Sequence, residues 1–271
     1  MGGVAERCVE ILMDGRLEYK YLVPNHLVDR IRSEVRPYMD VDPFAGKQST
    51  NEYTVRSVYY DSPRLDCYYE KLDGVGVRRK FRIRGYNEAD ENSIVFLEIK
   101  RKYLNFITKD RAPLLRRDLN DFLSSPEMDK YIISLSGTAQ EQADAKHFLF
   151  YYYRHGLQPT VLVVYDREAF LGRFDASLRI TFDKNLRGAI FPTLDMLHDE
   201  ERLAPAMRDH FILEVKFFRG ALPSWAISMV QRYSLPRMAL SKYTICLDAQ
   251  RAPRAFSRVK TRTASPADCW A

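Results

Sequence analysis

The sequence predicts an α+β protein built on a closed antiparallel β-barrel of about eight strands, with a charged tunnel inside and helices packed on the outside. Three observations lead there. Stretches in which charged and apolar residues alternate at a period of two recur along the chain. Turn signals and short helical patterns separate these stretches. The charged faces are weighted to cations, and closure of such strands into a barrel removes their exposed edges.

In chain order, the first strand starts at Arg16 and puts Arg16, Glu18 and Lys20 on one side, with Leu17, Tyr19 and Tyr21 opposite. Asn25 is expected to cap a helix that carries Leu27, Val28, Ile31 and Val35 at helical spacing. Tyr38 to Asn51 reads as a loop, and its Gly46-Lys47 lacks the upstream glycine and the following hydroxyl of a phosphate-binding P-loop. β-branched and aromatic residues predict a strand over Tyr53 to Asp61, followed by a short helix from Asp66 to Leu72 and a turn at Asp73-Gly74. Lys80-Phe81-Arg82-Ile83-Arg84 is the sharpest alternation in the chain, with three cations on one face and two apolar residues on the other. After an acidic turn at Asn87 to Asn92, the strand Ile94 to Lys102 sets Glu98, Lys100 and Lys102 against Leu97 and Ile99, so residues 76–102 form a hairpin.

Lys109 to Leu114 reads as an exposed polar connection. Helices are expected over Arg116 to Leu123 and Ala139 to Tyr153, the aromatic cluster Phe148 to Tyr153 packing on the sheet and not stacking on bases. Strands follow over Thr160 to Arg167 and Ser177 to Asp183, with a further short one in Asn185 to Phe191. His198-Asp199-Glu200-Glu201 reads as a solvated acidic loop, because no second ligand stands at metal-binding spacing. In the last strong strand, Phe211 to Phe218, Glu214 and Lys216 oppose Leu213, Val215 and Phe217. Pro223 to Tyr233 is helical, and Ser241-Lys242-Tyr243 precedes a final apolar piece ending at Leu247.

At 271 residues and 46% hydrophobic composition, the chain has enough apolar side chains for a sizeable core. It contains no apolar run of membrane-spanning length, and its start lacks the apolar segment of a signal peptide, so a cytoplasmic protein is expected. Cys8, Cys67, Cys246 and Cys269 form no metal-binding pair and are expected as reduced thiols. Of the formal net charge of +6, residues 251–271 supply four units, through five cations against Asp268. That segment is expected to be a disordered basic tail beyond a folded domain of residues 1–250. The body is nearly balanced, so its cations describe a site and not bulk attraction, and nucleic acid is not expected as a partner.

If helices cover the outside of the barrel, the apolar faces meet them and the charged faces line the lumen. Roughly eight cations in a lumen would cost several kcal/mol each if unpaired. The glutamates offset only some of them, which calls for a polyanionic ligand.

The ordered set Glu18-x-Lys20-Tyr21, Ser57 to Asp61, Lys80-x-Arg82-x-Arg84-x-Tyr86, Glu98-Ile99-Lys100, Tyr165-Asp166-Arg167, Arg179 to Asp183, Glu214-Val215-Lys216 and Ser241-Lys242-Tyr243 resembles the triphosphate tunnel metalloenzymes. Within them it is similar to the bacterial, stand-alone form of the VTC catalytic domain, the polyphosphate polymerases, from about Arg16 to Leu247. Neither the regulatory phosphate-sensing domain nor the membrane helices of the eukaryotic proteins is expected here. The resemblance implies transfer of the γ-phosphoryl group of ATP to a growing inorganic polyphosphate chain or a pyrophosphate primer. It implies that Arg82, Arg84, Arg167 and Arg179 grip phosphate oxygens with their guanidinium forks. Lys20, Lys80, Lys100, Lys109, Lys216 and Lys242 would add point charges, and Tyr165 and Ser241 hydrogen bonds. Glu214 matches the family's ligand for Mn²⁺ or Mg²⁺; Glu18 and Glu98 either join it or orient neighbouring lysines. A metal-dependent triphosphatase of the same fold and a non-catalytic polyphosphate-binding module are the alternatives.

Overall fold

The computed structural model describes residues 17–251, apart from 88, 89, 91, 105, 138 and 219–221. Arg16 and the expected tail therefore lie outside the described residues, except for Arg251, which ends a helix.

Among the described residues, ten strands form one antiparallel sheet: β1 (Leu17–Pro24), β2 (Met39–Val41), β3 (Glu52–Asp61), β4 (Val77–Tyr86), β5 (Ile94–Tyr103), β6 (Phe106–Leu115), β7 (Gln158–Gly172), β8 (Arg179–Ile190), β9 (Ala204–Pro205) and β10 (His210–Phe217). Eight of them run in the order β1-β10-β8-β7-β3-β4-β5-β6, while β2 adds to β7 and β9 to β8. The expected closed barrel is corrected on one point: β1 and β6 end the series and do not pair with each other, so the sheet is curled but open. At this seam the junction is made by side chains, Lys100 of β5 reaching Glu18 of β1 at 3.2 Å. The free edge of β1 is covered by one bridge, Tyr21 to Arg237, and by the hydrogen bond from Met238 N–H to Lys20 C=O at 2.8 Å.

The alternation sorts the residues as expected. Phe81, Ile83, Leu97 and Ile99 point away from the lumen and are buried under helix α5 (Gln140–Arg154), whose Ala145, Phe148 and Leu149 complete that core. Here α1 (Val28–Val35), α2 (Asp66–Leu72), α3 (Leu119–Ser124), α4 (Met128–Tyr131), α6 (Ser224–Arg232) and α7 (Lys242–Arg251) are the remaining helices. Ile31 and Val35 of α1 and Met229 of α6 cover Leu213, Val215 and Phe217 on the other half of the outer face. Burying such side chains stabilises by about 1.5–3 kcal/mol each, and that is what holds the curl.

Several expectations are revised. Lys109 to Leu114 is not a loop but belongs to β6: Ala112 and Leu114 are buried outward while Lys109 and Arg111 face the partner carboxylate of β5. Pro113 is tolerated there because β6 is an edge strand and needs no amide donor at every position. The two pieces expected between Ser177 and Phe191 are one strand, β8, which passes the β7 irregularity at Val164/Asp166 with Asn185 at φ 51°. Asparagine accepts that left-handed conformation more readily than most residues. Asn25 does not cap α1; its amide donates to Arg208 C=O at 2.8 Å and its backbone N–H to Asp209 C=O at 2.9 Å. His198 is not in a solvated loop: it packs beside Gly85, where a Cβ would come within 3.0 Å of Nε2.

The largest departure is α7. All helices were expected outside, yet α7 lies on the inner face, where Tyr243, Cys246 and Leu247 bury against Tyr59, Val161, Val163 and Leu186. Two features seat it. Gly188 leaves room, since a Cβ there would stand 2.7 Å from Leu162 C=O and 3.0 Å from Cys246 Cβ. Asp61, fully buried, accepts hydrogen bonds from the backbone N–H groups of Ser62, Cys67 and Tyr68 at 2.8, 2.9 and 3.0 Å and from the Tyr243 hydroxyl at 2.6 Å. One carboxylate thus ties the start of α2 to the inner helix.

Asp61→Ala orphans four donors at once and is expected to lower unfolding free energy by at least about 3 kcal/mol, against about 1–2 kcal/mol for Tyr243→Phe, both read from urea unfolding curves. His198 gives a pH signature. Burial, then Arg116 and Arg56, push its imidazole from 6.5 down to about 4. Between those values the unfolded chain takes up a proton that the folded protein does not, so stability falls as the pH drops. Unfolding curves of His198→Gln across that window should fall less steeply than those of the parent.

Candidate functional site

The inner faces of β1, β3, β4, β5, β6, β7 and β10, Lys71 of α2, the segment Met238–Ser241 and the first residue of α7 enclose a cavity of about 180 Å³. Among the described residues, eleven Lys and Arg side chains line it against two carboxylates, Glu18 and Glu214. Of the residues singled out in the sequence, Lys20, Arg82, Arg84, Lys100, Arg167, Lys242, Lys80, Tyr165, Lys216, Ser241, Glu18 and Glu214 all line this cavity. The strands bring them together because residues two apart share a face and neighbouring strands are in register: Lys20 lies opposite Glu214, and Lys80 opposite Lys100.

The centre of the site is a charge lattice. Asp183, 1% exposed, receives Arg167 through Nε and Nη2 at 2.6 and 2.7 Å and Lys242 Nζ at 2.5 Å. Glu214 is surrounded by Lys242 at 2.7 Å, Lys216 at 3.0 Å, Lys20 at 3.3 Å and Arg167 at 3.7 Å. Burial by itself would raise the Glu214 carboxyl; Lys20, Lys242, Lys216 and Arg167 outweigh it and hold it well below the usual carboxylate range. Lys100 shows the opposite balance: burial outweighs Glu18 and brings its ammonium down to about 8.

Three residues singled out in the sequence fall outside the cavity lining. Glu98, opposite the inward-facing Arg82, is fully buried and receives Arg82 at 2.6 Å, Arg111 at 3.2 Å, Lys109 at 3.3 Å and Arg84 at 3.9 Å, so it fixes these side chains. Lys109 is held on Glu98 from the far side. Arg179 lies further along the inner face, with Nη2 at 3.0 Å from Asp42 and 3.4 Å from the Tyr53 hydroxyl.

The four arginines also differ in what they can still bind. Arg82 is committed to Glu98 and to the Tyr59 hydroxyl, and Arg167 to Asp183. Arg84 instead donates to Ser57 Oγ at 3.1 Å and to the Tyr165 hydroxyl at 3.5 Å, and its carboxylate contact, Glu98 at 3.9 Å, is too long for a hydrogen bond, so its charge is offset less than theirs. Lys80 likewise donates to Ser241 Oγ at 2.5 Å. Sequence reasoning did not place Asp183 as the counter-ion of Arg167, Asp61 as an anchor, or Lys71 and Arg78 in the lining. Arg78 was legible as the next step of the Lys80-Arg82-Arg84 alternation; Lys71 comes from α2 and carried no such signal.

Glu18 and Glu214 are the cavity-lining carboxylates that could hold a divalent cation, and both face the Lys20 ammonium, at 3.0 and 3.3 Å. Among the described residues, one triad of potential ligands converges elsewhere: Asp110, Asp144 and His147, between β6 and α5. Its carboxylates are engaged, Asp110 by Arg101 and Asp144 by the Arg111 N–H and the Gln140 amide, both at 2.7 Å.

An open antiparallel sheet curled around a cation-lined cavity, with a helix on its inner face, is the class of structure that the chain adopts. Residues 15–250 match the VTC domain family, and the chain belongs to it. It is 26% identical over 182 residues to vacuolar transporter chaperone complex subunit 4 of Schizosaccharomyces pombe, a match that covers 62% of this chain and 25% of the relative. The match thus spans about a quarter of that relative's length. Among solved structures, the chain is similar to the PH1819 protein of Pyrococcus horikoshii at 15% identity and TM-score 0.44, covering 87% of this chain and 99% of that one. It is also similar to a Hippeastrum protein described by a dominant triphosphatase activity, at 11% identity and TM-score 0.45, covering 88% and 98%. No helix among the described residues is long and apolar enough to cross a membrane.

The lattice makes a sharp stability prediction. Asp183→Ala leaves Arg167 and Lys242 buried with Glu214 alone between them and is expected to cost about 3–5 kcal/mol. Lys216→Ala, which removes one of four cations around Glu214, should cost far less in the same denaturation assay.

Proposed function

We propose that the protein is an ATP:polyphosphate phosphotransferase that moves the γ-phosphoryl group of ATP onto the end of an inorganic polyphosphate chain or pyrophosphate primer. The observation that carries this is the excess of cations in the cavity, eleven against two carboxylates. Phosphoryl transfer asks a protein chiefly for positioning and charge neutralisation. The acceptor is itself an anion and needs no general base, and among the described residues no histidine lines the cavity. Arg84, aimed by Ser57 and Tyr165, is the first candidate to hold the transferring group. Lys242 and Arg167, fixed on Asp183, supply preorganised charge beside it. Glu214, with Glu18, would hold Mn²⁺ or Mg²⁺ together with phosphate oxygens and water, and the ion would neutralise charge on the phosphates when bound.

A hydrolase of the same fold would have to hold metal and orient a water molecule, which calls for several acidic groups, whereas the cavity lining is weighted to cations. Incubation with γ-labelled ATP, Mn²⁺ and pyrophosphate should give a ladder of labelled phosphate polymer, and chelation of the metal should abolish it. Arg84→Ala should lower the rate by about 10²–10³ with an unchanged circular dichroism spectrum, because Glu98, its carboxylate contact at 3.9 Å, keeps three closer cations in Arg82, Arg111 and Lys109. Free phosphate as the only product would mean a triphosphatase; tight polyphosphate binding without turnover would mean a binding module.

A further inference from the structure

One end of the cavity lies between the last turn of α2, the start of β4 and the hairpin that joins β5 to β6, whose Lys71, Arg78, Lys102 and Ile107 belong to its lining. Six large apolar side chains on these same segments are exposed: Tyr69, Leu72, Val75, Val77, Tyr103 and Leu104. They form one patch. Tyr69 and Leu72 stand three residues apart on one face of α2. Val77 is the cross-strand partner of Tyr103, and Leu104 N–H donates to Gly76 C=O at 2.8 Å. Gly76 lets the tips meet closely, because a Cβ there would stand 3.1 Å from Leu104 Cδ2.

Contiguous apolar surface of this kind marks a contact with something outside the chain. Leu104 sharpens the point. Its φ of 53° is left-handed, a conformation that a bulky side chain adopts only at a cost. Asparagine or glycine would hold that turn at lower energy, so the leucine contributes through its exposed side chain and not through the turn.

Charge is layered behind the apolar tips. Leu72, Val77 and Leu104 are 53%, 53% and 56% exposed, whereas their neighbours Lys71, Arg78 and Lys102 are half-buried. In each of the three segments, therefore, the apolar group is outermost and a cation is set back beside it. Residues 69–79 and 101–104 together carry five cations, Lys71, Arg78, Arg79, Arg101 and Lys102, against Glu70 and Asp73. Among the described residues Lys71, Arg78 and Lys102 form no ion pair.

That order of layers matches one kind of partner. At a bilayer surface apolar side chains sink past the headgroups, tyrosines rest at the interface, and lysines and arginines reach the lipid phosphates just above. An anionic polymer would meet the cations but leave six apolar groups in water. An apolar groove on another protein would take the tips and leave the cations unmatched.

We propose that the rim formed by Tyr69, Leu72, Val75, Val77, Tyr103 and Leu104, backed by Lys71, Arg78 and Lys102, docks the protein on an anionic lipid bilayer. This end of the cavity then faces the lipid. The docking is a surface contact that needs no membrane-spanning helix, and it stands apart from the chemistry inside the cavity.

The test is flotation of the full chain with vesicles of phosphatidylcholine alone and with vesicles of equal parts phosphatidylcholine and phosphatidylglycerol. The parent should float with the mixed vesicles and far less with phosphatidylcholine alone. Leu72→Gln/Val77→Thr/Leu104→Asn should lower partitioning by about tenfold or more. Phe174→Ser, which alters an exposed aromatic outside the patch, should leave it unchanged. A parent that does not float with the mixed vesicles overturns the proposal. So does a triple variant that floats as well as the parent, because the cations alone would then be binding, as they would any polyanion. Equal loss in Phe174→Ser likewise overturns it, by showing adhesion without a defined surface. Leu104→Asn alone separates docking from folding: asparagine accepts the left-handed turn, so the unfolding midpoint should hold or rise while flotation weakens.

Discussion

The structure depends on how charge is accommodated inside a curled sheet. A carboxylate or ammonium taken out of water costs several kcal/mol unless it is paired and hydrogen-bonded. Asp183 and Glu214 meet that requirement for Arg167, Lys242, Lys20 and Lys216, and Glu98 meets it for Arg82. Each carboxylate serves more than one cation, so the lattice stays net positive while every deep charge has a partner. This fixes the positions of the cations before any ligand arrives, which is the condition under which fixed charge is most effective in stabilising a transferring phosphoryl group.

The same requirement explains why the sheet need not close by hydrogen bonding. At the seam, Glu18 of β1 binds Lys100 of β5 and Lys20 of its own strand, so an electrostatic junction stands where a ladder is missing. On the other side of the lumen, α7 fills with Tyr243, Cys246 and Leu247 the space that would otherwise leave Val161 and Val163 facing water. The helix then delivers Lys242 to the two carboxylates at its first residue. Packing and chemistry are therefore set by one element: what seats α7 also places a cation.

Partnering also divides the cavity by depth. Cations near Asp183, Glu98 and Glu214 are fixed by those carboxylates, whereas among the described residues Lys71, Arg78 and Lys102 form no ion pair. Depth correlates with pairing because the desolvation cost rises inward, and only at the half-buried mouth can like charges be left opposed.

Most strands were legible because alternation at a period of two is a local property: Phe81 and Ile83 against Arg82 and Arg84 need no knowledge of the rest of the chain. Most of the lining residues followed from it, since the inner face of every strand is fixed once the outer face is known to be apolar. The strand β6 was missed because its pattern is broken by Pro113 and dominated by polar residues whose partner, Glu98, is on another strand. The sequence by itself determined which residues form strands, which of their faces is charged, and hence that a cationic surface would be enclosed. Only the tertiary structure decided that the sheet stays open between β1 and β6, that α7 lies inside, and which cation each carboxylate takes. The reason is physical: alternation is written in neighbouring residues, whereas a pairing such as Arg167 with Asp183, or Asp61 with Tyr243, is set by where the curl of the sheet brings distant residues together.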